Sequence, residues 1–314
     1  MVTSEMSLAQ AEVGAWRSYY ELTKPRVVAL ILFTALVGML LATPGAVSWS
    51  ALFFGLVGIG LSAAAGAALN HVVDQHIDAR MRRTRQRPLP TGRLDTPHAL
   101  AFALLLAATS LAVLTLFVNV LTAALTFAAF IGYAVVYTVF LKRWTPQNIV
   151  WGGLAGAMPP LLGWTAVTGE VHAHALLLVL LIFVWTPPHF WALALKRREE
   201  YARVGVPMLP VTHGAAFTKQ QILLYTLMLL VVSLMPFRAQ MSGLIYLLGA
   251  LALGVGFVYR AVRLLRSTAD EDAEAMRTFG YSILYLAALF ALLLVDHYVA
   301  PGTLPAVGGG GVIT

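Results

Sequence analysis

Asn70-His-Val-Val-Asp74-Gln-His-Ile-Asp78 closes an apolar run that begins at Ala51, and a basic stretch from Arg80 to Arg93 follows at once. Asn70, Asp74 and Asp78 stand four residues apart. On a helix each is rotated about 40° from the last, so all three share one face. A carboxylate at membrane depth costs roughly 2.5–3.5 kcal/mol even on the lenient insertion scale, so such residues read first as functional. Two carboxylates and an amide offer oxygen donors, which suit a hard cation such as Mg²⁺ that shares its shell with substrate phosphates. Arg80, Arg82, Arg83, Arg85, Arg87 and Arg93 bring guanidinium groups fitted to phosphate oxygens. The plain alternative is a solvated helix end followed by a topology signal. The spacing argues against it, because stacked carboxylates repel unless a cation lies between them.

The chain has 314 residues, 59% hydrophobic and 11% charged. A soluble domain carries about 25% charge, so this composition is that of a polytopic membrane protein. With no cysteine, disulfide and thiolate–metal chemistry are excluded. The net charge of +7 does not indicate nucleic-acid binding, since membrane proteins concentrate Lys and Arg in cytoplasmic loops.

Nine apolar segments are long enough to span a bilayer: Val27–Ala42, Ala51–Asn70, Ala99–Val118, Leu121–Leu141, Asn148–Val167, Ala173–Leu195, Gln220–Phe237, Gly243–Val262 and Phe279–Val299. If the N-terminus is cytoplasmic, all 21 Lys and Arg except Arg238 fall on the inner side. That asymmetry predicts N-terminus in, C-terminus out, in a bacterial inner membrane. Residues 1–22 then form a short cytoplasmic segment, 23–300 a single transmembrane domain, and 301–314 a Gly-rich disordered tail.

The inner segments hold the rest of the chemistry. Lys24 and Arg26 flank Pro25 at the start of the first span, as anchors or as phosphate ligands. Gly152 and Gly156 make a small-xxx-small pair, and Pro159-Pro160 predicts a break in the same span. Trp185-Thr-Pro-Pro-His189-Phe-Trp191 ends the sixth span, before Lys196, Glu199 and Glu200. Glu199 and Glu200 lie about half the length of the first eight spans beyond Asp74, so two four-helix pseudo-repeats plus a ninth helix are expected, with one acidic motif in each half. The acidic run Asp270 to Glu274 reads as a solvated loop, and Asp296 and His297 as interfacial.

Taken together, Leu22-Thr-Lys-Pro-Arg26, the Asn70/Asp74/Asp78 motif, Arg87-Pro-Leu-Pro90, Thr145-Pro-Gln-Asn148, Gly152-Gly153 to Pro159-Pro160, Pro187-Pro-His-Phe-Trp191 and Gly205-Val-Pro-Met-Leu-Pro210 resemble the UbiA superfamily of intramembrane prenyltransferases. Within it the set is most similar to members that farnesylate haem. The resemblance implies an all-α bundle round a central cavity. It also implies Mg²⁺-dependent transfer of farnesyl from farnesyl diphosphate to a vinyl group of haem b, with hydroxylation, giving haem O and diphosphate. Asn70, Asp74 and Asp78 become the first metal–diphosphate motif and Glu199 with Glu200 the second, where many relatives carry an Asp pair.

On that reading Arg85, Arg87 and Lys142 are the foremost diphosphate ligands, with Lys24, Arg26 and Lys196 beside them. Tyr137, Trp185 and Trp191 are candidate shields for an allylic cation. His71 and His189 are candidates for haem, as iron ligands or as hydrogen-bond partners. The implied partners are the bilayer, the two substrates and, downstream, a haem A synthase or terminal-oxidase assembly factors, with no nucleic acid. The competing readings are a superfamily member acting on a quinone-precursor or chlorophyll-type acceptor, and a two-repeat secondary transporter. For topology, a reporter active only outside the cytoplasm should work when fused at Gln240 and fail at Arg93; the reverse pattern would overturn the N-in assignment.

Overall fold

The computed structural model describes Gly14, residues 16–268 and residues 271–299, so the expected tail at 301–314 and most of the N-terminal segment lie outside the described residues. Among the described residues all regular structure is helical. Two short-broken helices, α1 (Trp16–Leu22) and α2 (Pro25–Leu41), meet at 49°. The next elements are α3 (Trp49–Asp78), α4 (Thr96–Phe117), α5 (Val120–Ile131), a π-helix (Gly132–Leu141) and α6 (Lys142–Trp144). Then come α7 (Asn148–Ala157), α8 (Pro159–Thr168), α9 (Ala173–Lys196), α10 (Arg198–Arg203), α11 (Leu209–Thr212), α12 (Gly214–Arg238), α13 (Leu244–Arg266) and α14 (Glu271–Val299). Seven helices are long and apolar enough to cross a membrane, or eight if the bent α1–α2 pair is one span. The segment of the remaining expected span, residues 148–167, folds as two ten-residue helices, α7 and α8, and is not among those counted.

Local chemistry sets these boundaries. Ser48 Oγ accepts from the Ala51 amide, Asp95 Oδ1 from His98 and Asn119 Oδ1 from Thr122, each satisfying an orphan donor at a helix start. Asn119 Nδ2 also donates to Thr165 O at 2.9 Å, so one residue caps α5 and ties it to α8. Pro159 and Pro160 end α7 at Met158, as their sequence predicts, because neither supplies an amide. Pro187 and Pro188 instead sit inside a continuous α9.

Packing follows the small residues. α2 and α8 approach until a Cβ on Gly38 would lie 2.1 Å from Pro160 O, and one on Gly163 2.0 Å from Ala35 O. Such backbone-to-backbone contact needs glycine. The Gly152/Gly156 expectation is half met. Gly152 makes room for the Tyr137 ring and Gly153 for Thr186, whereas nothing lies within 4 Å of a Cβ on Gly156. The main core joins α9 to α12, α13 and α14 through Leu178, Leu181, Leu229, Tyr246, Phe257 and Tyr285.

Two sequence expectations change. Asp270 lies outside the described residues, and the rest of the acidic run is not a loop: Glu271, Asp272 and Glu274 form the first turn of α14, where the helix dipole favours them. Asp296 and His297 are buried rather than interfacial. Asp296 accepts from the amides of Gly243 and Tyr246, filling the place of a side-chain cap on α13, and His297 Nε2 meets Thr43 O at 3.1 Å. Gly163→Ala should destabilise the protein by about 1–3 kcal/mol, since a backbone carbonyl and not a movable side chain must yield. Thermal unfolding in detergent measures it, and an unchanged midpoint contradicts the close α2–α8 crossing.

Candidate active site

α3 does not end at Asn70 but runs on through Asp78, and that extension builds the site. Asn70, Asp74 and Asp78 are all buried, none more than 6% exposed. Each meets a cation from a different part of the chain. Lys24 Nζ, at the α1–α2 break, donates to Asn70 Oδ1 at 2.5 Å. Lys142 Nζ donates to Asp74 Oδ2 at 2.5 Å, and Arg87 Nη1 donates to Asp78 Oδ2 at 2.6 Å. Asn70 Nδ2 also donates to Asp74 Oδ2 at 2.7 Å, so the three motif residues and three cations form one network. Removing one partner of a buried ion pair typically costs about 3–5 kcal/mol, because it strands the other charge.

The loop after α3 is folded to present Arg87. Thr84 Oγ1 donates to Asp78 O at 3.0 Å, and Pro88 and Leu89 are buried beneath. Arg93 Nη2 donates to Gln86 O and to Glu21 Oε2, which fastens the loop to α1. Lys142 is delivered by the π-helix. Its i→i+5 pattern widens the turn and changes which side chains share a face. Thr138 Oγ1 donates to Tyr133 O, five residues back, at 2.8 Å. Tyr133 and Tyr137 stack within this segment with centroids 5.7 Å apart. The sequence analysis missed Tyr133, although its four-residue offset from Tyr137 was a signal.

The second acidic motif divides. Glu199 points outward: its side chain is 80% exposed and pairs with Arg203 at 3.6 Å, one turn along α10. It is not at the site, contrary to expectation. Glu200 turns inward, and its Oε2 is buried with no hydrogen-bond partner. The two motif regions converge. Ile77 packs in one apolar cluster with Trp191, Val206 and Tyr201. Arg83 lies within electrostatic reach of Arg197, Tyr201 and Asp78, and Tyr137 within reach of Tyr201 and Asp74.

Other candidates sort by their surroundings. Lys196 is not a site residue: it pairs with Asp272 at 2.7 Å, with both side chains about half exposed. Arg26 and Arg85 are exposed and enter no ion pair among the described residues. His71 is 3% exposed, and neither ring nitrogen has a partner. Its neighbours include Lys24 and Arg87, which places it at the network. His189 is instead a packed ring, stacked between Trp185 and Phe279 with Nδ1 2.7 Å from Ser282 Oγ. That contact and stacking hold the ring in the packing between α9 and α14. Trp185 Nε1 donates to Ser282 O and Trp191 is enclosed beside Tyr225, so both are packing residues. Of the three proposed cation shields, Tyr137 alone stands by the motif.

A model of the UbiA prenyltransferase family matches residues 31–285. The chain belongs to that family. It is therefore a prenyltransferase, and curated relatives agree over nearly its whole length. It is 69% identical to a protein named protoheme IX farnesyltransferase from Thioalkalivibrio sulfidiphilus, covering 95% of this chain and 98% of that one. A Marinobacter nauticus protein of the same name is 65% identical over 92% and 95%. Among solved structures, a digeranylgeranylglyceryl phosphate synthase superposes with a TM-score of 0.77 at 18% identity, covering 91% of this chain and 99% of that one. A UbiA homologue from Archaeoglobus fulgidus bound to GPP and Mg²⁺ does so with 0.67 at 18% identity, over 88% and 99%. At such identity these two establish the UbiA fold.

The donor set fits a hard divalent cation. Asp74 Oδ1 and Glu200 Oε2 are buried oxygens without partners, and the chain has no cysteine to offer a thiolate. No group of three or more His, Cys, Asp or Glu side chains is assembled among the described residues. Mg²⁺ held by one or two carboxylates and completed by substrate phosphates needs no such group. Lys142→Met removes a positive charge beside Asp74. Binding of Mn²⁺ alone should tighten by at least about tenfold while inorganic diphosphate binds more weakly. Spin-resonance titration of Mn²⁺ and calorimetry of diphosphate measure the two arms; both moving in the same direction refutes the arrangement.

Proposed function

We propose that this chain transfers the farnesyl group of farnesyl diphosphate to a vinyl group of haem b, with hydroxylation, giving haem O and diphosphate. The observation that carries the diphosphate half is the buried set of ion pairs Asp74–Lys142 and Asp78–Arg87. The acceptor half rests on the names of the 69% and 65% identical relatives. The membrane is that of a bacterial cell, with the motif end cytoplasmic, as the distribution of Lys and Arg implies.

Lys24, Arg87 and Lys142 hold the carboxylates and amide when no diphosphate is present. On substrate binding they turn to the diphosphate, whose negative charge grows as the farnesyl C1–O bond breaks. Cations aimed at developing charge in a dry site supply several kcal/mol. One or two of the carboxylates of Asp74, Asp78 and Glu200, with Asn70 beside them, would hold Mg²⁺, which would supply Lewis acidity at the same diphosphate. The Tyr133 and Tyr137 rings stand beside Asp74 and offer π faces to the allylic cation. The terminal vinyl carbon bonds to C1, and water adds at the adjacent carbon with loss of one proton. His71, buried and unpartnered at the network, is the residue of the two histidine candidates that contacts haem.

Asp74→Ala should lower haem O formation by at least about a hundredfold while leaving the protein in the membrane. Mass spectrometry of haems from cells carrying the variant checks this, and normal haem O would refute the assignment.

A further inference from the structure

Glu200 sits on α10, a six-residue helix with no fully buried residue, whose own packing is through the partly buried Tyr201. Ion pairs at its start add to that hold. α10 starts at Arg198, whose Nη1 donates to Glu271 Oε1 at 2.7 Å. Glu271 Oε2 accepts from Lys219 Nζ at 3.0 Å, and the same Nζ donates to Ser267 O at 2.8 Å. Lys219 is 9% exposed and the Glu271 side chain 18%, so solvent screens this pair far less than the surface pair Lys196–Asp272. One carboxylate therefore joins the first turn of α14, the start of α12 and the start of α10. None of these contacts touches the network at Asp74 and Asp78.

We propose that Glu271 is a positioning residue: through Arg198 and Lys219 it holds α10 so that the Glu200 carboxylate stays aimed into the diphosphate site. This rests on the reading of Glu200 as a metal–diphosphate residue. Partners that orient a metal ligand through hydrogen bonds typically cost 10–100-fold in metal affinity when removed.

The test uses the full chain, purified in detergent, with Glu271→Gln and Glu271→Asp. Calorimetry reads binding of inorganic diphosphate with Mg²⁺, and assays with farnesyl diphosphate and haem read KM and kcat. Glu271→Gln should weaken Mg²⁺-dependent diphosphate binding and raise KM for farnesyl diphosphate about tenfold, with kcat within about twofold. Glu271→Asp should recover most of the loss. Diphosphate binding and KM unchanged in Glu271→Gln overturn the proposal. So does an equal loss in Glu271→Gln and Glu271→Asp that tracks a lowered thermal midpoint, which marks a merely structural role. If Glu200→Gln leaves diphosphate binding intact, the reading of Glu200 fails; if Glu200→Gln weakens it and Glu271→Gln does not, the positioning role alone fails.

Discussion

Burying Asp74 and Asp78 at the end of a membrane-spanning helix is possible only because each carboxylate is met by a cation, Lys142 and Arg87. Two uncompensated carboxylates on one helical face would repel and carry a large desolvation cost. The surrounding structure can be understood as the means of delivering those cations. The α1–α2 break brings Lys24 to Asn70, the Pro- and Thr-braced loop brings Arg87 to Asp78, and the π-helix brings Lys142 to Asp74.

On the proposed function, the same pairs link resting stability to catalysis. A site that must take a diphosphate needs cations, and a site that must take a divalent ion needs anions. Holding both in one network keeps the site near neutral until substrate arrives. Asp74 Oδ1 and Glu200 Oε2 are the carboxylate oxygens near the network left buried without a partner.

Around the site the energetics are those of a membrane bundle. Glycines permit backbone contact between α2 and α8, and hydroxyls such as Ser110, which donates to Gly58 O at 2.7 Å, satisfy carbonyls across helices. Charged groups away from the motif concentrate at helix ends, where Glu271, Asp272 and Glu274 tie α14 to α9, α10, α12 and α13.

The sequence alone determined the spans, the shared face of Asn70, Asp74 and Asp78, the break at Pro159 and the family, because hydropathy, helical period and proline geometry act over one segment at a time. Only the tertiary structure decided which cation meets which acid, as with Lys142 and Asp74, 68 residues apart. It also separated Glu200 from Glu199, paired Lys196 with Asp272, packed His189 against Ser282, and turned the run at 271–274 into a helix start. Neighbouring residues of the same chemistry differ only in the direction they face, and that direction is set by packing between distant segments.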